Sequence, residues 1–140
     1  MAEYTNPGIL TVAAGQNVPL TSAAVNSKPC IVHRDGAGIV TLRGLTNQCK
    51  ARFRVGFGGN VAVPTGGTPG PISVAIAVDG EPLPSSVATV TPAAAEAFFN
   101  VAASEYVDVT KGCCAALSIR NVSGEAIDVR NANLISTRVC

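Results

Sequence analysis

Any Ser-His-Asp or Cys-His centre in this chain must use its single histidine, His33, which is followed by Arg34 and Asp35. An imidazole is the usual general base near neutral pH, and Cys113 or Cys114 would be the nucleophile of a Cys-His hydrolase. His33 ends the apolar pair Ile31-Val32, and Asp35-Gly36 reads as a turn, so the residue is assigned to a strand end and no catalytic group is expected. The acids, nine in all, are scattered without the signature of paired glycosidase carboxylates. The cysteines are Cys30, Cys49, Cys113, Cys114 and Cys140, an odd number with no C-x-x-C pair. A reducing compartment would keep them as free, buried thiols rather than a disulfide framework. Adjacent Cys113 and Cys114 on a strand point to opposite faces, which argues against joint metal ligation. No metal and no cofactor are expected.

The basic residues are more informative. Between Gly36 and Val78 the chain carries Arg43, Lys50, Arg52 and Arg54 and no acid. Arg52 and Arg54 alternate with Phe53 and Val55, so both guanidinium groups leave one strand face, where they fit a carboxylate, a sulfated sugar or a phosphate. Pairing with Glu or Asp of a neighbouring subunit is favoured over ligand binding. The ligand-binding candidates are nonetheless Arg43, Arg52 and Arg54, with Tyr4, Phe57 and Tyr106 as aromatic candidates in a glycan site. Gly56-Phe57-Gly58-Gly59-Asn60 is glycine-rich but leads to Val61-Ala62-Val63-Pro64, not to the helix that a phosphate cradle requires.

These residues need a scaffold, and the punctuation of the chain suggests one. Strand-length runs rich in Val, Ile, Thr and Phe alternate with Gly and Pro breaks. Strands are expected over residues 39–43, 52–57, 72–78, 106–110, 113–120, 126–130 and 134–139, with others near 9–13 and 31–34. Residues 64–71 hold three prolines and three glycines and must be an exposed loop. Val78-Asp79-Gly80-Glu81 reads as a tight turn, and residues 92–98 are too short to stand as a helix. So many short strands in 140 residues favour a closed or doubled sheet, an all-β antiparallel jelly-roll sandwich in one domain, with residues 1–8 as an extended N-terminal arm. In 72–78 the face opposite the large residues holds only Ser73, Ala75 and Ala77, a surface suited to burial between subunits.

Hydrophobic residues make up 47% and charged residues 14%, with a net charge of +1, so no global field draws nucleic acid or an anionic membrane. The longest purely apolar runs have five residues, far below the roughly twenty of a membrane-spanning helix. Neither nucleic acid nor membrane is an expected partner.

Residues 76–84 (Ile-Ala-Val-Asp-Gly-Glu-Pro-Leu-Pro), Val90-Thr91-Pro92-Ala93-Ala94, Phe99-Asn100-Val101-Ala102, Tyr106-Val107-Asp108-Val109, Gly112-Cys113-Cys114, Ser118-Ile119-Arg120-Asn121 and Asn131-Ala132-Asn133-Leu134-Ile135 resemble a group of small proteins from gut Firmicutes and their prophages. Those in turn resemble the jelly rolls of the tumour necrosis factor and complement globular-head superfamily. The resemblance covers roughly residues 70–140 well and the first half loosely, and it contains no catalytic motif. It implies a tight homotrimer acting as a noncatalytic phage virion protein, either a head or tail fibre knob or a capsid decoration protein. Its partners would be itself, capsid or tail proteins and a cell-surface glycan. The alternative is a bacterial carbohydrate- or protein-binding jelly-roll module. The opening Met1-Ala2-Glu3-Tyr4 has no basic or apolar leader character. That fits synthesis in a bacterial cytoplasm and release within a virion.

Overall fold

The computed structural model describes residues 2–6, 8–25, 31–33, 36, 38–45, 47–68, 70–95 and 97–139, the side chains of 23–25, 32 and 33 excepted. Alternation of small or polar with apolar residues produces strand after strand, because a period of two puts every second side chain on one face. The chain runs β1 (Ala2–Asn6), β2 (Leu10–Val12), β3 (Ser22–Val25), β4 (Ile31–His33), β5 (Val40–Arg43), β6 (Lys50–Ala62), β7 (Ile72–Val78), β8 (Glu81–Pro82), β9 (Ala88–Val90), β10 (Phe99–Thr110), β11 (Cys114–Asn121) and β12 (Ile127–Arg138). One sheet has the order β10-β6-β12-β1-β3, with β2 also on β12. The other has the order β4-β5-β11-β7-β8, with β9 also on β7. Every ladder is antiparallel.

The core lies between the sheets. Ala51, Phe53, Val55 and Phe57 from β6 and Leu134 from β12 meet Leu42, Ile72, Ile76 and Leu117 of the second sheet. The expected turn over 78–81 forms with Asp79 at φ 53° and Gly80 at φ 86°. It is braced by Asp79, whose Oδ1 accepts the Ala116 N–H at 2.9 Å and whose own N–H donates to the Ala116 carbonyl at 2.7 Å. Residues 92–98 contain no helix among those described, and Thr65, Gly66 and Thr68 of the loop over 64–71 are exposed.

Three expectations need correction. Within the expected extended arm, residues 2–6 are a strand of the sheet: β1 is paired on both sides, with Tyr4 opposite Leu134 and Ala23, and its Ala2, Tyr4 and Asn6 are buried. Those residues alternate with Glu3 and Thr5, the same binary pattern as any half-buried strand. Second, the breaks expected over 131–133 do not divide two strands. β12 runs through them on a bulge, where Arg130 pairs with Asn60 but Asn133 with Gly58, leaving one residue too many on β12. Asn131 takes φ 56°, a left-handed conformation that asparagine tolerates better than most residues. Third, Ala75 and Ala77 are fully buried within one chain, so no subunit is needed to cover them. Their ladder neighbours are Arg120 and Ser118, and the Arg120 guanidinium reaches the Gly80 carbonyl, which draws its aliphatic stem over this face.

One end of the sandwich is tied together by backbone hydrogen bonds. The Gly44 N–H donates to the Cys113 carbonyl (2.9 Å), the Gly112 N–H to the Gly44 carbonyl (3.1 Å) and the Lys111 N–H to the Cys49 carbonyl (3.0 Å). These bonds hold the crossing from β10 in one sheet to β11 in the other. A Cβ on Gly44 would overlap the Thr110 carbonyl oxygen, which is backbone and cannot swing aside. We therefore expect Gly44→Ala to lower unfolding free energy by about 2 to 4 kcal/mol. Gly124→Ala, in open space, should change it by less than about 0.5 kcal/mol. Urea denaturation of both variants measures the difference.

Candidate functional site

The outer face of the first sheet holds three of the six binding candidates that the sequence singled out, Arg52, Arg54 and Tyr106. In β6, Arg52 and Arg54 do leave the same face, while Phe53 and Val55 enter the core. Arg52 meets a carboxylate, but on its own chain: Nε lies 2.7 Å from Oδ1 of Asp108 and Nη2 3.2 Å from Oδ2. Lys50 Nζ lies 3.0 Å from the same Oδ2. Asp108 sits directly opposite Arg52 on β10, so strand pairing rather than subunit pairing brings the charges together. The carboxylate partner expected from a neighbouring subunit is thus found for Arg52 within its own chain. Hydrogen bonds from Arg52 first and Lys50 second hold the Asp108 carboxyl well below the usual carboxylate range.

Arg54 is exposed between Tyr106 and Thr137 and has no ion pair among the described residues. Arg43 lies on the outer face of the second sheet, opposite Cys114, on the far side of the sandwich from Arg52 and Arg54. The three candidate arginines thus do not converge on one site. Of the aromatic candidates, Tyr4 and Phe57 are core residues at 1% and 5% exposure, and only Tyr106, at 63%, can meet a partner. Burial also pushes the Tyr4 phenol up from its ordinary pKa.

The hydrolase arrangement is not assembled. His33 pairs through the backbone with Val40, which in turn pairs with Leu117, three residues along β11 from Cys114. That is about 10 Å along the strands and about 10 Å across two strand spacings, too far for a nucleophile–base contact. The His33 side chain lies outside the described residues, as do Cys30 and Cys140. Cys49, Cys113 and Cys114 are free thiols, but exposed rather than buried, because all three fall at the strand ends near Gly44, beyond the core. Among the described residues no group of three His, Cys, Asp or Glu side chains is placed to hold a metal.

What the sequence missed is the continuation of β6 through its glycines. Gly56 and Gly58 keep the outward phase of Arg52 and Arg54. Gly56 lies between Ser104 and Ile135, and Gly58 between Ala102 and Asn133. With so little side chain on these positions, the sheet face sinks into a trough of about 380 Å³, which continues toward Arg54 and Thr137 as a second hollow of about 200 Å³. Phe57, inward between the two glycines, carried the phase that would have revealed this.

The exposed Asp108 cluster makes a pH-dependent prediction. Its folded pKa is depressed, so its stabilisation is full above the unfolded-state value of about 3.9 and drains away as pH falls through the folded value. Asp108→Asn should lower the melting temperature slightly at pH 7, and the gap from the native chain should close below about pH 3 and in molar salt. Thermal unfolding across a pH series checks this, and a gap that widens in acid would contradict it.

No family model matches this chain, and no curated protein matches it. Among solved structures, the globular domain of zebrafish complement 1qA protein is similar with a TM-score of 0.59 and 10% identity, over 96% of this chain and 94% of that one. The EclA C-terminal domain, titled a sugar-binding protein, aligns over 74% of this chain and 82% of that one, with a TM-score of 0.37 and 13% identity. The strand order and the first of these likenesses agree: the fold is an all-β antiparallel jelly-roll sandwich of the kind shared by the tumour necrosis factor and complement globular-head domains.

Proposed function

We propose that this chain is a noncatalytic structural module that forms a homotrimer through the outer face of its first sheet. In this reading it serves in a phage virion as a head or tail fibre knob or a capsid decoration protein. The observation that carries the assembly is the trough floored by Gly56, Gly58, Ala102 and Ser104, with Tyr106 and Ile135 exposed at its margin. Small side chains let a second β surface approach closely, and the two large apolar side chains gain from leaving water, by about 1 to 2 kcal/mol each. Three adjacent strands of about twelve residues, β10, β6 and β12, offer a face of about 40 by 14 Å, and the short β1 and β2 on the far edge of β12 extend it toward the roughly 800 Å² per partner of a stable interface. The virion role rests on the resemblance of residues 70–140 to prophage proteins. It predicts that the chain is found by mass spectrometry in purified particles of a phage that encodes it, and particles lacking it would end that reading.

Light scattering at low micromolar concentration should give about 42 kDa, three times the 14.1 kDa of one chain. Ile135→Asp places a carboxylate beside the trough and should shift the mass to that of a single chain with an unchanged β-sheet circular dichroism spectrum. Thr68→Asp, in the exposed loop, should leave the assembly intact. A native chain that remains monomeric at tens of micromolar would sink the trimer.

A further inference from the structure

Another hollow, unrelated to the sheet face, opens at the end of the sandwich where Gly44 ties the two sheets. It is a groove of about 530 Å³ lined by Gly44, Leu45, Asn47, Lys111, Gly112 and Arg138. That size falls within the about 300 to 1,000 Å³ of small-molecule sites. Its lining has two cations and no carboxylate. Neither Lys111 nor Arg138 has an ion pair among the described residues, whereas Lys50 and Arg52 close by are both engaged by Asp108. Two like charges facing one hollow repel each other, and a bound anion relieves that repulsion.

Both cations are held on fixed backbone. Lys111 sits in a turn whose N–H donates to the Cys49 carbonyl at 3.0 Å, and the next residue, Gly112, donates to the Gly44 carbonyl at 3.1 Å. Arg138 Nη1 donates to the Leu45 carbonyl at 2.6 Å, which orients the guanidinium and leaves most of its five N–H donors for a ligand. The Asn47 side chain, exposed on the same groove, adds an amide that can both donate and accept. A point charge, a planar fork and an amide around one hollow match a tetrahedral oxyanion together with the hydroxyl groups of whatever carries it.

We propose that this groove binds a sulfate or phosphate group, free or as an ester on a saccharide unit, with Lys111 and Arg138 on the oxyanion and Asn47 on its carrier. The site is separate from the trough, so the proposal stands whether or not the chain forms a trimer. Calorimetric titration of the full chain at low ionic strength, with inorganic sulfate, inorganic phosphate, N-acetylglucosamine 6-sulfate and unsulfated N-acetylglucosamine, tests it. Either inorganic ion should bind and the unsulfated sugar should not. Tighter binding of the sugar sulfate identifies the ester as the ligand, and equal or weaker binding identifies the free ion. Lys111→Glu should abolish binding and Lys111→Ala should weaken it at least fivefold. Arg138→Lys, which keeps the charge but loses the fork, should weaken it about threefold or more, and Arg54→Ala should leave it unchanged. Lys111 is exposed and its side chain has no hydrogen bond or ion pair among the described residues, so its variants are expected to fold. Binding undiminished in Lys111→Glu, equal binding of sulfated and unsulfated sugar, or no binding of any anion would overturn the proposal.

Discussion

The rest of the molecule depends on the register of one strand. β6 pairs along most of its 13 residues with β10 on one side and β12 on the other, so its alternation decides what both neighbours show to each side. Inward it supplies Ala51, Phe53, Val55 and Phe57 to the core. Outward it supplies Arg52, Arg54, Gly56 and Gly58 to the sheet face. A slip of one residue would bury two guanidinium groups and expose two phenyl rings, a penalty of many kcal/mol, so the register is strongly fixed. The ion cluster and the trough are therefore consequences of core packing. They occupy the other side of the same strand.

The outward face has an internal gradient. At the start of β6, Asp108 binds Lys50 and Arg52 together, which cancels one of their two positive charges. Farther along, Arg54 is the last charge before the glycines, and the face becomes small and nearly neutral. A surface that changes from paired ions to glycine and alanine over a few residues has little to hold water firmly at its centre. That is the property an interface core needs, with charge kept to the rim. Tyr106 lies at the boundary, opposite Arg54, and offers an amphipathic ring where the two regimes meet.

Much of this was legible in the sequence, and the failures have physical reasons. The alternation in 39–43, 52–57 and 72–78 identified strands and their inward faces correctly, and Asp79-Gly80 named its turn, because these are local properties. The pairing of Arg52 with Asp108 joins residues 56 apart, and no local pattern reveals which strand lies beside which. The break read into Asn131-Ala132-Asn133 was a bulge, since the residues that tolerate a turn also tolerate one extra residue in a ladder. The strand expected over 52–57 stopped short of Ala62 because glycine is poor at holding a strand by itself. In β6 two flanking ladders hold it there. Ala75 and Ala77 looked available to a partner because the sequence does not show that Arg120 lies across them.

The interior leaves little room for function. The apolar void under the bulge, between Phe57, Val74, Ile119, Val129 and Ala132, holds about 10 Å³, at best the space of a single water, and its walls offer no polar side chain to bind one. A jelly roll filled in this way acts through its outside. Here that outside divides into surfaces built by different means: a broad face whose shape follows from strand register, and a charged groove whose shape follows from the backbone tie at Gly44. Because the face is made by side-chain size along β6, β10 and β12 and the groove by loops beyond their ends, either can change without disturbing the core. On the assembly proposed above, the face on the side of the sandwich would be covered while the separately built groove at its end stays open to solvent.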